Sequence, residues 1–467
     1  MNPPDKTLWL PDLIYRAGQF EERLGIACDD GGRIVGLSVA SPESGKTVRL
    51  TNRAMLPGLI NAHSHAFQRV IRGRTEYRTS NEKDSFWTWR EMMYSAATRL
   101  SPQDIYDASR MAFLEMALSG ITAVGEFHYL HNQSDGTPYD DPNLLAKEVV
   151  RAARDVGLRI ALLRVAYARS GFQSEPNPRQ ARFIEADPDA YLDHIARLRK
   201  DLAELAGQAW VGVAPHSVRA TPLNYLKEVV RFGNEQGLPI HMHVAEQPAE
   251  VSACIEEHGR SPVALLETEG LLSECFTGVH AIHITPKAAR TLGQARAMVC
   301  ACPTTERNLG DGIVPADILF RENVRVSLGT DSQIQIDLLE DARELEYHSR
   351  LQKMERVVLA GQDNTAYAAL AARLFDCATI NGAQSIGAES GSLEQGRSAD
   401  FFTVDLDDPS IAGSSQDDLL SSIVFSLSRT AVRDVVVGGK RIVEDGRHLA
   451  QDKIVERFRA LQKKLWS

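Results

Sequence analysis

The middle of the chain alternates between short apolar runs and longer segments whose apolar residues recur about every 3.6 positions. The short runs are typical of buried strands and the longer segments of amphipathic helices, such as NLLAKEVVRAARDVG and PLNYLKEVVRFGNEQG. The apolar runs are LPGLINAHSHA, ITAVGEFHYL, RIALLRVAY, AWVGVAPHSV, PIHMHVAEQ, FTGVHAIHI, AMVCACPTT and VRVSLGTDS. Eight strand–helix units predict an α/β fold built on a TIM-like (β/α)8 barrel.

The two ends of the chain show a different pattern, with short strand-like stretches separated by turn residues. Neither end has enough strands to close a sheet alone, so we expect the two ends to pair into one small β-sandwich domain beside the barrel. The predicted boundaries are 1–55 for the N-terminal part of the small domain, 56–385 for the barrel, and 386–467 for the C-terminal part together with a terminal amphipathic helix, DKIVERFRALQKKLWS.

Composition limits the kinds of molecule that the protein is expected to bind. The 467 residues carry a formal net charge of −10, which argues against a nucleic-acid surface because phosphate binding needs a basic face. We find no signal peptide and no apolar run long enough to span a membrane, so we expect a cytoplasmic protein without membrane contact. A homodimer is expected from the size of the barrel.

The six cysteines are scattered along the chain, which fits a reducing compartment: Cys28, Cys254, Cys275, Cys300, Cys302 and Cys377. The two in AMVCACP, Cys300 and Cys302, are expected to be buried thiols.

Two histidines stand at the end of the first apolar run, as His63-Ser64-His65. Alternation along a strand places residues i and i+2 on one face, so both imidazoles can point at one metal ion. Two surface histidines in a loop would show the same motif. A metal site is favoured because metal-compatible residues recur where later runs end, at the barrel face that carries active sites: His243, Glu246, His280 and Asp331.

Imidazoles combined with a carboxylate suit zinc and leave a position for a water whose pKa falls toward ~7. Glu246, three residues after His243, can reach a bound substrate without ligating the ion and would serve as a proton shuttle. His241 shares the strand face of His243 and competes with it as a ligand, although the His-x-x-Glu spacing favours His243.

One metal ion is favoured over two. A binuclear site of this architecture usually needs a carboxylated lysine at the end of the fourth barrel strand, and that strand ends in Pro215-His216-Ser217. The lysines of the region all lie in helical patterns: Lys147, Lys200 and Lys227.

Basic and aromatic residues also lie near the candidate site in sequence. Local arginines could hold a small anion within an acidic protein, although solvated surface arginines are the alternative: Arg69, Arg72, Arg74, Arg90 and Arg219. The aromatic segment from Thr75 to Thr98 (…DSFWTWREMMY…) is long for a βα loop and either covers the site or simply packs on the top of the barrel.

Several motifs together make the chain resemble the formimidoylglutamate deiminases of the amidohydrolase superfamily over nearly its whole length: HSHAFQR, DSFWTWREMMY, GEFHYLH, APHSVRA, HVAEQ, PTTERNLGDGI and LEYHSRLQ. The resemblance implies a barrel of the amidohydrolase type with one Zn²⁺ per chain. It further implies zinc ligands at His63, His65, His243 and Asp331, catalytic roles for Glu246 and His280 beside the ligand Asp331, and substrate contacts from Gln68, Arg90, Tyr129, His216 and Arg219.

The activity implied is hydrolysis of N-formimino-L-glutamate to N-formyl-L-glutamate and ammonia, a step of histidine degradation. The alternatives are a related deaminase for a ring amine or a guanidino acid, and a metal-free binding protein, which would be expected to have lost ligands. Two cations, Arg90 and Arg219, favour a small anionic substrate with two carboxylates. The chain departs from the family at Gln333, where the resemblance leads us to expect a histidine, and this departure bears on substrate specificity.

Overall fold

The computed structural model describes residues 6–38, 45–78, 84–172, 174–361 and 367–467. Residues 1–5, at the start of the N-terminal segment in which we found no signal peptide, and residues 79–83 of the aromatic segment lie outside these ranges. The strands are β1 (Thr7–Arg16), β2 (Gln19–Glu22), β3 (Gly25–Cys28), β4 (Ile34–Ser38), β5 (Lys46–Pro57), β6 (Leu59–Ser64), β7 (Ile121–His128), β8 (Arg159–Ala166), β9 (Ala209–Pro215), β10 (Ile240–Val244), β11 (Phe276–His280), β12 (Met298–Ala301), β13 (Arg325–Leu328), β14 (Phe401–Asp405), β15 (Val432–Val437), β16 (Lys440–Glu444) and β17 (Arg447–His448).

Helices connect most of these strands. They are α1 (Phe86–Ala97), α2 (Pro102–Leu118), α3 (Leu144–Val156), α4 (Pro188–Asp201), α5 (Leu223–Glu235), α6 (Pro248–His258), α7 (Pro262–Thr268), α8 (Pro286–Gln294), α9 (Pro303–Leu309), α10 (Ala316–Arg321), α11 (Leu338–Lys353), α12 (Ala369–Ala378), α13 (Ile380–Ile386), α14 (Leu419–Ser426) and α15 (Gln451–Trp466). Short 3-10 helices lie at Ala66–Ile71, Pro178–Gln180, Ala203–Leu205 and Arg429–Ala431.

Strands β6 to β13 form a parallel sheet in which each strand pairs with its neighbour in sequence. A parallel bridge between Ser64 and Asp331 joins the first and last of these strands. The backbone N–H of Asp331 donates to the carbonyl of His63, and that of His65 donates to the carbonyl of Asp331, each at 3.0 Å. The predicted (β/α)8 barrel is therefore confirmed, with all eight predicted strands present.

The close approach at the barrel seam requires a glycine. A Cβ on Gly329 would lie 2.7 Å from the Cβ of His63 and 2.9 Å from its carbonyl oxygen, closer than atoms can pack. The side chain of Asn61 also ties the two sides together, because its Oδ1 accepts from the Thr330 N–H at 3.0 Å. The seam thus fixes His63 and Asp331 relative to each other.

The two chain ends form a second sheet, which contains nine strands in the described residues. β5 from the N-terminal end pairs antiparallel with β14 from the C-terminal end, in register from Arg53–Asp405 to Pro57–Phe401. Trp9 and Phe401 pack edge to face in the core of this sheet, with ring centroids 5.3 Å apart. Both chain ends therefore contribute strands to one sheet.

The helices around the barrel follow the apolar periodicity of the sequence. In α3 the apolar side chains of Leu145, Val149 and Val156 recur at helical spacing and are buried. The helix ends at Gly157, whose φ of 93° lies in the left-handed region that glycine adopts without steric cost.

The terminal helix α15 is amphipathic, as its sequence predicts, and buries Ile454, Phe458, Leu461 and Leu465. Its basic residues form ion pairs with the barrel helix α2, for example between Lys464 Nζ and Asp104 Oδ2 at 2.5 Å. Within the described ranges, none of the helices combines the length and apolarity needed to cross a membrane.

Candidate metal centre and active site

Four of the predicted site residues converge at the C-terminal end of the barrel. Ligand atoms of His63, His65, His243 and Asp331 all lie within 4.8 Å of one another, and all four side chains are buried. The Nε2 atoms of His63 and His65 are 3.2 Å apart, and Asp331 Oδ1 lies 3.5 Å and 3.2 Å from them. The structure therefore brings together the donor set that the sequence predicted.

Hydrogen bonds fix the tautomers of two of these histidines. His65 Nδ1 donates to the carbonyl of Phe127 at 2.9 Å, and His243 Nδ1 donates to the carbonyl of His216 at 3.1 Å. Each Nε2 then carries a lone pair directed into the cluster. Lone pairs and a carboxylate crowded into one buried space repel each other unless a cation lies among them, so these residues fit a bound divalent metal ion.

The electrostatics of the cluster favour the forms that bind metal. Burial lowers the pKa of His63 to about 3 and lowers those of His65 and His243, so all three imidazoles are neutral. Burial opposes ionisation of Asp331, but its histidine neighbours nevertheless hold the pKa of this carboxyl below its usual range. Neutral imidazoles and an ionised carboxylate need lose no proton when a metal binds.

The backbone of the site is strained at the residues that do chemistry. His280 and Asp331, neither of them glycine, have φ values of 69° and 45°, and Ala245, directly before Glu246, has a φ of 52°. Such conformations cost of order 1–3 kcal/mol each and persist only where surrounding contacts enforce them.

Glu246 and His280 lie beside the metal-binding cluster. Glu246 Oε1 is 3.7 Å from His280 Nε2, which is itself 3.8 Å from Asp331 Oδ2. Burial is the main cause that raises the pKa of Glu246, and Asp331 adds to the effect. A carboxyl whose pKa is moved toward neutrality can both accept and release a proton.

A buried carboxylate that sequence reasoning missed contacts His280 from the other side. Glu306 Oε1 lies 3.2 Å from His280 Nδ1 and accepts the backbone N–H of Cys302 at 2.8 Å. With Nδ1 directed at Glu306, the Nε2 atom of His280 faces the metal-binding cluster. Burial alone would lower the pKa of His280, but Glu246, Glu306 and Asp331 raise it well above its ordinary value.

A cleft opens above the cluster. All five residues predicted to contact substrate line it: Gln68, Arg90, Tyr129, His216 and Arg219. Its lining also includes Glu246 and three residues of the metal-binding cluster, His65, His243 and Asp331.

The arginines noted in the sequence divide into two groups. Arg69 and Arg72 both pair with Glu115 of α2 at 2.6 Å, and Arg74 stacks on Trp466 of α15, so these three hold the fold together. Arg90 and Arg219 instead line the cleft. The Arg90 guanidinium stacks on the Trp87 ring, 4.7 Å from the centroid.

Much of the aromatic segment forms helix α1. It begins at Phe86 with Ser85 as its N-cap, and Phe86, Trp89 and Arg90 line the cleft. The segment therefore covers the site and packs on the barrel at the same time. Met93 and Tyr94 of the same helix also line the cleft. The cleft residues that sequence reasoning missed come from distant parts of the chain: Tyr167, Phe183 and Leu309.

Gln333 has a structural role in the place of the expected histidine. It is fully buried, and its Nε2 donates to Ser64 Oγ at 2.8 Å and to the Asp331 carbonyl at 3.0 Å. Ser64 Oγ in turn donates to Glu126 Oε2 at 2.5 Å. Gln333 thus braces the barrel seam behind the metal-binding cluster.

His241 lies outside the cluster, because its Nε2 contacts the carbonyl of Ser385 at 2.8 Å. The candidate bridging lysines also lie elsewhere. Lys147 pairs with Asp141 and Asp201, and Lys227 pairs with Glu269, while Lys200 is in α4.

Comparisons with known proteins match the chain over most of its length. A family model described as the amidohydrolase family matches residues 54–442. The formimidoylglutamate deiminase of Pseudomonas aeruginosa is 39% identical over 406 residues, covering 87% of this chain and 88% of that protein. The 5-methylthioadenosine/S-adenosylhomocysteine deaminase of Natronomonas pharaonis is 28% identical over 440 residues, covering 93% of this chain and 90% of that protein. A solved amidohydrolase from Brucella melitensis has a TM-score of 0.90 and 33% identity, covering 99% of this chain and 100% of that one.

Proposed function

This chain belongs to the amidohydrolase family and is a hydrolase that acts on carbon–nitrogen bonds, and we propose that it deiminates N-formimino-L-glutamate. The products are N-formyl-L-glutamate and ammonia, which makes the reaction a step of histidine degradation. The same proposal gives the chain one Zn²⁺, held by His63, His65, His243 and Asp331. The similarity to the Pseudomonas deiminase supports the substrate.

The observation that carries the proposal is the pair of arginines in the cleft. In the described part of the chain neither Arg90 nor Arg219 has a carboxylate partner within 4.0 Å. Among the described residues, Arg90 Nη1 is buried without a hydrogen-bond partner, and the hydrogen bonds of Arg219 go to neutral groups: the Tyr167 side chain and, at 3.4 Å from its Nη1, the Ser170 carbonyl. Guanidinium groups that are partly removed from water and have no carboxylate at ion-pair distance gain from an anionic ligand, and a substrate with two carboxylates supplies both partners.

The formimino end of the substrate has a matching partner at Gln68. Its Nε2 donates to the Tyr129 hydroxyl at 2.8 Å, while its buried Oε1 has no hydrogen-bond partner among the described residues. A formimino group carries N–H donors, so this amide oxygen can accept one and orient the electrophilic carbon over the metal-binding cluster. His216 lies in the same wall of the cleft and can donate to substrate oxygen.

A divalent ion bound there would make hydroxide available at neutral pH by lowering the pKa of water. Glu246 takes one proton from the attacking water and passes it to the imino nitrogen. The second water proton follows as the new carbonyl forms, so the carbon–nitrogen bond breaks and the nitrogen leaves as ammonia. His280 Nε2, aimed at the same space by its Nδ1 contact with Glu306, orients the attacking oxygen. The balance is one water consumed and one ammonia released for each N-formyl-L-glutamate formed.

The relatives that act on 5-methylthioadenosine or S-adenosylhomocysteine suggest a ring amine as the competing substrate. The adenine base is neutral, and of these two compounds only S-adenosylhomocysteine carries a carboxylate, which could pair with one arginine but not with both. We therefore favour the anionic substrate over a ring amine, and a guanidino acid is the nearest remaining competitor.

Product analysis tests the proposal. The formimino carbon of the substrate is bonded to two nitrogen atoms, and hydrolysis of the two carbon–nitrogen bonds gives different products. Purified zinc-loaded protein is incubated with N-formimino-L-glutamate, and the products are identified by proton NMR together with an ammonia assay. We expect equal amounts of ammonia and N-formyl-L-glutamate. Formamide with free glutamate would show that the other bond breaks, and an unchanged substrate would refute the assignment.

A further inference from the structure

A buried thiol adjoins the metal-binding cluster and has no part in the proposed reaction. Cys302 directly follows β12, and its sulfur lies within 4.8 Å of ligand atoms from His280 and Asp331. We propose that His280, Cys302 and Asp331 form a second, weaker metal site for thiophilic ions such as Zn²⁺ and Cd²⁺. An ion bound there inhibits the enzyme.

The two oxygens of Asp331 face different groups of donors. Oδ1 lies 3.5 Å from His63 Nε2 and 3.2 Å from His65 Nε2. Oδ2 lies 3.8 Å from His280 Nε2. A carboxylate placed in this way can bridge two cations, one on each oxygen, so occupation of the first site does not use up the ligand needed at the second.

His280 presents an unused nitrogen to this second group. Its side chain is 1% exposed, and its Nε2 has no hydrogen-bond partner in the described part of the chain. Because Nδ1 is held at 3.2 Å from Glu306, the ring cannot turn Nε2 away without losing that contact. The free nitrogen therefore remains aimed at the space beside Asp331.

The donor types select the ion. Thiolate, imidazole and carboxylate together suit Zn²⁺, and the thiolate adds a preference for Cd²⁺ over hard ions such as Mg²⁺. Binding exchanges the sulfur–hydrogen bond of Cys302 for a sulfur–metal bond and requires an unprotonated His280 Nε2. It therefore releases the thiol proton and, from a protonated His280, a second proton to solvent, with no change of oxidation state.

Inhibition follows from which groups the second ion would take. His280 Nε2 would become a ligand and could no longer orient the attacking oxygen. The carboxylate of Glu246, 3.7 Å from that nitrogen, would be drawn to the ion and lost as a proton shuttle. This consequence rests on the proposed function, whereas the existence of the site does not.

The test uses the intact protein loaded with one equivalent of Zn²⁺ and titrated with Cd²⁺. The Cys302→Ser variant removes the sulfur, and Cys300→Ser is the matched control, because Cys300 is equally buried two residues earlier but lies outside the ligand group. The readouts are metal stoichiometry by equilibrium dialysis, the ultraviolet thiolate-to-cadmium charge-transfer band, and inhibition of ammonia release by added Zn²⁺.

We expect the unmodified protein and Cys300→Ser to bind a second equivalent, to show the charge-transfer band and to lose activity. Cys302→Ser should bind only the first equivalent, show no band and require at least an order of magnitude more Zn²⁺ for inhibition. A band that persists in Cys302→Ser, or the lack of a second equivalent in the unmodified protein, would overturn the site.

Anomalous diffraction from crystals of the unmodified protein soaked in Cd²⁺ provides a measurement that needs no variant. A cadmium peak between His280, Cys302 and Asp331 supports the site, and a peak elsewhere alone contradicts it. Stoichiometry, the band and the diffraction peak need no substrate. If the proposed activity fails, these three measurements therefore still decide whether the second site exists.

Discussion

Replacing Arg219 with Met separates substrate binding from protein stability at a single position. Arg219 is half-buried in the cleft wall after β9. Burial of Arg90, together with the positive charge of Arg219, lowers the pKa of the Arg90 guanidinium. Arg219 also interacts with the carboxyl of Glu250, whose pKa burial raises to about 7 and which Arg219 holds from rising further. The native side chain is thus positioned for a ligand and not for an internal ion pair.

The magnitude follows from the desolvated contact that the substrate would lose. Truncating one partner of a buried charge pair costs about 2–5 kcal/mol, which corresponds to roughly a 30- to 4,000-fold weaker affinity. Stability should change little. Methionine removes the desolvation of the cation and its repulsion of Arg90, but it also removes the attraction to Glu250 and the hydrogen bond to Tyr167, so we expect the melting temperature to stay nearly the same.

The assay compares KM, kcat, bound metal and melting temperature for Arg219→Met with those for Arg179→Met. Arg179 is a suitable charge control because its side chain is 58% exposed and it pairs with Glu91 on the surface. We expect a raised KM only in the Arg219 variant, with metal content unchanged. An unchanged KM, or a large fall in melting temperature without loss of affinity, would refute the reasoning and give Arg219 a structural role.

Three further predictions test the surrounding groups. Changing Glu246 to Gln should leave the metal bound but lower kcat by about 10²–10⁴, as measured by ammonia release, because the amide cannot carry the proton; near-normal turnover would assign the shuttle to another group. Changing Glu306 to Ala should lower kcat by roughly 10–100-fold with little change in KM. Glu306→Gln should recover much of this loss, because the amide oxygen can still accept a hydrogen bond from His280 Nδ1. Equal effects of the two changes would contradict a positioning role for Glu306. Burial raises the pKa of Glu126 to about 8, so between about pH 4.3 and pH 8 the native state holds a proton that the unfolded state has lost, and stability falls as pH rises. Glu126→Gln should flatten this fall in melting temperature across that window, and an unaltered slope would show that Glu126 is ionised in the native protein.

The barrel and the metal donors could be predicted because both depend on local patterns. Eight apolar runs at strand spacing specify the parallel sheet, and donors placed where those runs end must share one face of a barrel. The pairing of His63 with His65 follows from strand alternation alone. These features need no knowledge of which side chains meet across the fold.

The residues that sequence reasoning missed depend on contacts between distant segments. Glu306 meets His280 across 26 positions, and nothing in PTTERNLGDGI distinguishes its buried carboxylate from a solvated one. Arg69 was noted as a candidate for anion binding, but it pairs with Glu115, 46 positions away. In each case the partner is set by how helices dock on the barrel, and the periodicity of a single segment does not encode that docking.

The structure gives Gln333 a role that the sequence alone does not indicate. The sequence shows only that a histidine expected from the resemblance is replaced. In the structure the amide bonds both Ser64 and the Asp331 backbone at the barrel seam. The side chain therefore supports a metal-binding residue from behind and does not line the substrate cleft.

We propose that the cleft of this hydrolase selects a small dicarboxylate for deimination. The most direct test is kcat/KM for ammonia release from N-formimino-L-glutamate, compared with 5-methylthioadenosine, adenine, cytosine, guanine and a guanidino acid, using one preparation of metal-loaded protein. We expect formiminoglutamate to be preferred over every ring amine by at least a hundredfold, a lower bound because each arginine–carboxylate contact is worth about 2–5 kcal/mol when desolvated. A higher kcat/KM for any ring amine would contradict it.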